Sequence, residues 1–183
     1  MLGFVFAESP RRADPTLLRR IADLDTLKVA VITDSAQEIK ELMNAELIDA
    51  VQFHGSESPQ ECYATAFPYF KAVRIKSEVD IEHAATYRCP RVLIDSFSAA
   101  AVGGTGTRIP PELIAKARER SPLWLAGGLA PENVRETIER YQPELLDASS
   151  RLEEAPGKKD PKKLRRYFAE AGRSAVQAYN DRV

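Results

Sequence analysis

What most constrains this chain is an alternation. Short apolar runs of strand length recur along it, each followed by a stretch in which apolar residues return at helical spacing. The runs lie at 2–7, 29–33, 50–54, 70–75, 91–95, 123–126 and 145–148, and helical patterns open near Pro15, Asp34-Ser35, Pro59, Ile81, Pro110 or Pro111, Pro131 and Pro161. Seven strands thus alternate with seven helices, at the roughly two-dozen-residue spacing of a strand-helix unit. Because the runs are continuously apolar, the strands are expected to be buried on both faces, as in a parallel sheet under helices.

Two closures fit that pattern: an open doubly wound sheet, and a (β/α)8 barrel short of one unit. An open sheet carries its glycine-rich fingerprint after the first strand, whereas here the glycines gather late, at Gly103, Gly104, Gly106, Gly127 and Gly128. The expected fold is therefore α/β, a TIM (β/α)8-type barrel. With 183 residues the chain fits a single domain, 1–183, whose residues 171–183 extend the last helix.

Composition narrows the function by exclusion. The net charge of −1 supplies no field for nucleic acid. There is no apolar run of the roughly 18 residues a membrane helix needs, and no basic-then-apolar leader, so a cytoplasmic protein with no membrane partner is expected. Cys62 and Cys89, its two cysteines, lie outside any metal-ligand spacing and read as reduced and structural. Trp124 and Met43 read as core, and the basic residues Lys158, Lys159, Lys162, Lys163, Arg165 and Arg166 as a solvated helix face.

The stretch 123–160 carries the chemistry. It holds two successive strand-to-helix junctions with small or hydroxyl residues at the strand ends, Gly127-Gly128 and Ser149-Ser150. Glycines let a backbone approach a ligand, and free N–H groups at a helix start favour an anion. Loops after the last two strands of a barrel are a frequent phosphate site. A small phosphorylated ligand is expected there. Asp95 ends the run 91–95, where a carboxylate serves more often as a helix cap or salt-bridge partner than as a general acid.

The segments GFVFAESPRR, QFHGSE, VLIDSF followed by GGTG, LAGGLAPENV, and LDASS with EEAPGKKD stand in the order and spacing of one family. In them the chain resembles phosphoribosylanthranilate isomerase, to about residue 170. The resemblance implies a cofactor-free and metal-free Amadori rearrangement of N-(5-phosphoribosyl)anthranilate to 1-(2-carboxyphenylamino)-1-deoxyribulose 5-phosphate in tryptophan biosynthesis. It also implies roles. Asp95 becomes the general acid that protonates the ribose ring oxygen, and Arg11 the fork that holds the anthranilate carboxylate. Gln52 and His54 lie beside the substrate, while Gly127, Gly128, Ser149 and Ser150 bind its phosphate.

Departures from the family pattern qualify this expectation. The family carries one more strand-helix unit ahead of the first one here, and a cysteine on its strand is the general base that removes the C2′ proton. On that comparison the barrel lacks its first βα unit, through a misassigned start or as a genuine short form. Neither Cys62, in a helical pattern, nor Cys89, ahead of a strand, is expected to replace that base, so activity is expected to be impaired. Arg151 stands where the family has glycine, and Thr107-Arg108-Ile109 replaces an aromatic-rich segment. The alternative is a non-catalytic phosphosugar-binding or assembly module, whose open strand edges near Leu2 and Leu146 would favour a homodimer. A histidine-synthesis isomerase with two catalytic aspartates fits less well, because Asp95 has no counterpart earlier in the chain.

Overall fold

Each apolar run is a strand and each helical pattern a helix in the computed structural model, which describes residues 1–33, 37–96, 109–120 and 122–180. The order is β1 (Leu2–Val5), α1 (Pro15–Arg20), β2 (Lys28–Ile32), α2 (Gln37–Asn44), β3 (Ala50–Phe53), α3 (Pro59–Tyr63), β4 (Tyr69–Ile75), α4 (Glu78–Ala84), β5 (Val92–Ser96), α5 (Pro111–Arg120), β6 (Trp124–Ala126), α6 (Val134–Tyr141), β7 (Leu145–Asp147), the hairpin β8 (Glu153–Ala155) and β9 (Lys158–Lys159), and α7 (Pro161–Asn180). The expected cap at Asp34-Ser35 and the glycines at 103, 104 and 106 lie outside the described residues.

The chain divides into two compact units, one of Met1–Val73 with Ala84–Val92, the other of Arg74–His83 with Leu93–Val183. In the first, β1 to β4 pair in parallel, each with its predecessor, so that Val31 stands beside Gln52 and Gln52 beside Phe70, while Phe53 stands beside Lys71. The β-branched and aromatic content of these runs suits a pleat buried on both faces, and Val29, Ala30, Ile32, Val51 and Phe53 are all buried. In the second unit β5, β6 and β7 pair in parallel in the same way, with Leu125 beside both Ile94 and Leu146. There Leu129, Val134, Leu152 and Tyr167 form a core cluster against which Ile138, Leu146 and Leu164 pack.

Several expectations are corrected in detail. Helix α1 stops at Arg20 rather than running to Leu24, which is 51% exposed. Its buried residue is Leu18, while Leu17 and Leu24 of the same apolar pattern are exposed. Helix α3 is only five residues long and stops at Tyr63, short of Phe67. Helix α6 starts at Val134, three residues after Pro131, behind a turn closed by Asn133. Met43 and Trp124 are half-buried rather than core, and the Trp124 indole N–H donates to Glu144 at 2.6 Å. The edge of β1 is less open than expected: on the side away from β2, Val5 bridges to Arg12, and the Ala13 N–H donates to the Val5 carbonyl at 2.7 Å.

Candidate active site

The candidate residues fall at strand ends in both units. In the first, Gln52 and His54 project from one face of β3 by strand alternation. Gln52 is 4% exposed, and its amide nitrogen lies 3.0 Å from His54 Nδ1. A carboxamide N–H is only a donor, so this contact pairs with the ring tautomer in which Nδ1 accepts and Nε2 carries the proton. The ladder continues past the strand, with the His54 N–H on the Ile32 carbonyl at 2.8 Å.

Arg11 and Arg12 share a turn but not an environment. Arg12 is drawn back, its guanidinium donating to the Phe6 carbonyl and lying 6.0 Å from the Phe6 ring centroid. Arg11 is half-buried, with its backbone N–H on Ser9 Oγ at 3.1 Å.

In the second unit Asp95 is half-buried near the end of β5 and accepts the Ser96 N–H at 2.7 Å. Gly127, at the end of the neighbouring strand, has φ of 91°, and a Cβ there would lie 2.2 Å from Ser96 Oγ. The glycine loop therefore rests directly on the residue beside Asp95. Gly128 also has positive φ, at 66°. The loop is locked by Asn133, whose side chain accepts from Ala130 N at 3.0 Å and donates to the Gly128 carbonyl at 2.9 Å.

Ser149 is exposed, and Ser150 opens a 3-10 turn, Ser150–Leu152. Here the basic stretch departs from a solvated helix face, since Lys158 and Lys159 belong to β9. The Lys159 ammonium donates to the Ser149 carbonyl at 3.0 Å and to its Oγ at 3.1 Å, and pairs with the buried Glu153 at 3.0 Å. Lys163 donates to the Glu153 carbonyl at 2.7 Å. Arg151 is exposed.

Cys62 is buried in α3, and burial pushes its thiol from 9.0 up to about 11 despite the nearby Lys71 charge. Cys89 precedes β5 and donates to the Arg91 carbonyl at 3.0 Å. Among the described residues no group of three or more His, Cys, Asp or Glu could hold a metal ion, and no helix is long and apolar enough to cross a membrane.

Reading the sequence missed several residues that shape these ends: Asn133, the buried pair Lys71 and Glu57, and Asp147 at the end of β7, whose charge adds to the burial that raises the pKa of Tyr167; it named Lys159 but misread its place. Asn133 caps no helical N–H; its side chain ties the Ala130 and Gly128 backbone within the turn, which no local signal marks. The others depend on contacts between separate elements.

Comparison with known proteins matches residues 1–170 to the family model for N-(5'phosphoribosyl)anthranilate (PRA) isomerase. The N-(5'-phosphoribosyl)anthranilate isomerase of Citrifermentans bemidjiense is 35% identical, over 96% of this chain and 87% of its own. The crystal structure of phosphoribosyl anthranilate isomerase from Thermotoga maritima superposes with a TM-score of 0.83 at 35% identity, over 93% of this chain and 86% of that one. A phosphoribosyl anthranilate isomerase in complex with reduced 1-(o-carboxyphenylamino)-1-deoxyribulose 5-phosphate superposes with a TM-score of 0.78 at 34% identity, over the same shares. The fold class is that of these structures, an incomplete (β/α)8-type barrel with seven parallel strands in its sheet. The chain belongs to the N-(5'-phosphoribosyl)anthranilate isomerase family.

Proposed function

We propose that residues 1–183 form one barrel domain of an intramolecular oxidoreductase that carries out the Amadori rearrangement of N-(5-phosphoribosyl)anthranilate in the cytoplasm, with Asp95 as its acid. The ring oxygen takes a proton from Asp95 as the C1′–O bond breaks, leaving a protonated imine between C1′ and the anthranilate nitrogen. Loss of the C2′ proton to a base gives the enolamine, which tautomerises to the 2′-ketone. The observation that carries this assignment is the packing of Gly127 on Ser96, which sets the proposed acid beside the proposed phosphate loop. Gly127, Gly128, Ser149 and Ser150 take the phosphate through backbone N–H and hydroxyl donors. Arg11 holds the anthranilate carboxylate as a planar fork, with Gln52 and His54 alongside the substrate.

The second step turns on its base. Cys62 is a poor candidate for that base, since it is buried and its thiol is pushed up to about 11. A general base is worth about 10²–10⁴-fold of rate, so the group that fills this role governs the turnover measured.

The test follows turnover of freshly generated phosphoribosylanthranilate by loss of its fluorescence, for this chain and for one extended by a family-like first βα unit. Activity confined to the extended chain supports the reading. Undiminished activity in the short chain means another group serves as base, and silence in both favours a binding or assembly module. In the active version Asp95→Asn is expected to cut turnover by about 10²–10⁴-fold; unchanged turnover removes Asp95 from its role.

A further inference from the structure

Beneath the β3 strand end lies a buried ion pair that the proposed chemistry does not use. Lys71 on β4 is 2% exposed, and its ammonium meets the Glu57 carboxylate at 2.9 Å. The same ammonium donates to the Gly55 carbonyl at 2.8 Å and reaches the Phe53 carbonyl at 3.4 Å. Those carbonyls flank His54. One buried cation therefore holds the backbone on both sides of the histidine. The Glu57 carboxylate closes the loop from the other direction by accepting the Gly55 N–H through both oxygens, at 2.9 and 3.2 Å. Tyr87 braces the assembly: its hydroxyl donates to the Glu57 carbonyl at 2.8 Å, and its ring centroid is 5.5 Å from the ammonium.

Lys71 shares a rung with Phe53, so it approaches from the face of β3 opposite to Gln52 and His54. Gly55 leaves no slack in the loop, because a Cβ there would lie 2.3 Å from the Thr33 carbonyl oxygen. Desolvating two charges generally opposes their attraction, and apolar replacements of buried pairs are often no less stable. What such a pair supplies here is geometry.

We infer that Lys71 and Glu57 are positioning residues that fix the backbone around His54, so that its ring stays in register with Gln52 and presents an Nε2–H donor at the strand end. This rests on reading His54 as substrate-facing only for its effect on ligand binding. The hold on the ring can be measured without any ligand.

The experiment uses the full chain labelled with 15N-histidine; there are two histidines, so the His54 ring is readily assigned with a His54→Asn control. The parent is expected to show the Nε2–H tautomer. Lys71→Met/Glu57→Gln removes both charges and keeps an acceptor for the Gly55 N–H. It is expected to melt within about 4 °C of the parent yet show mixed tautomers. Its affinity for reduced 1-(o-carboxyphenylamino)-1-deoxyribulose 5-phosphate should fall, by up to about 10²-fold. Glu57→Gln alone keeps the acceptors of the Lys71 ammonium and is expected to restore the parent tautomer.

A parent-like tautomer in the double variant overturns the inference. A shifted tautomer with unchanged affinity upholds the positioning role and removes His54 from the ligand site instead. Should the double variant fail to fold, Tyr87→Phe loosens the brace by one hydrogen bond. There an unchanged tautomer signature overturns the inference, and a shifted one supports it.

Discussion

At Gly127 two independent requirements meet, a φ of 91° and a position where a Cβ would lie 2.2 Å from Ser96 Oγ and 2.7 Å from Ser96 N. The backbone nitrogen cannot swing aside as a side-chain tip can. Gly127→Ala is expected to cost about 2–4 kcal/mol by combining strain at positive φ with overpacking. Gly172 on α7 is the contrast, with nothing within 4 Å of the place an alanine methyl group would take. Gly172→Ala is expected to stabilise by about 0.5–1 kcal/mol through helix propensity. Urea unfolding of the two variants should show midpoints moving in opposite directions. The strand-end residues Asp95, Gly127 and His54 were legible because each stands at the boundary of an apolar run, a local signal. The Lys71 and Glu57 pair was not, since the partners are 14 residues apart in different elements and a lysine within a strand reads as a surface residue.

Among the elements, α3 shows how much a short helix leans on its ends. With five residues it relies on a capping box in which Ser58 Oγ accepts from Glu61 N at 3.2 Å and the Glu61 carboxylate accepts from Ser58 N at 2.7 Å. Ser58→Ala is expected to cost about 1 kcal/mol, read by thermal or urea unfolding. The Ser58 N–H holds the Glu61 carboxyl below its usual 4.5, as the N–H groups of Thr16 and Lys162 hold Asp14 and Asp160 below 3.8. A depressed carboxyl contributes stability above its unfolded value that is lost as pH falls through the folded one. Titrating below pH 4.5 should therefore loosen these helix starts. Strand positions were legible to within a residue or two, since continuous apolar runs have few other uses. Helix lengths were not: α1 stops at Arg20 and α3 at Tyr63, and periodicity alone ran past both. The hairpin of β8 and β9 was hidden because two or three charged residues carry no strand signal, and its turn depends on Gly157 at φ of 79°.

For the molecule as a whole the alkaline limit should be as informative as the acid one. Burial raises Cys62 from 9.0 to about 11, and burial together with the Asp147 charge raises Tyr167 from 10.0 to about 12. Both groups are neutral when protonated and keep their protons to higher pH in the folded state. The stability they contribute is complete below their unfolded values and is lost as pH rises through the folded ones. Urea midpoints should hold steady to pH 9 and then fall between pH 9 and 12; a flat profile across that window would show that neither group is shielded. The strand order carries a further consequence for how the protein is made. Within each unit every strand pairs with its immediate predecessor in the sequence. A ribosome adds about 5–20 residues per second, so each new strand leaves the exit tunnel seconds after the one it docks against, and the growing sheet never waits on a distant part of the message.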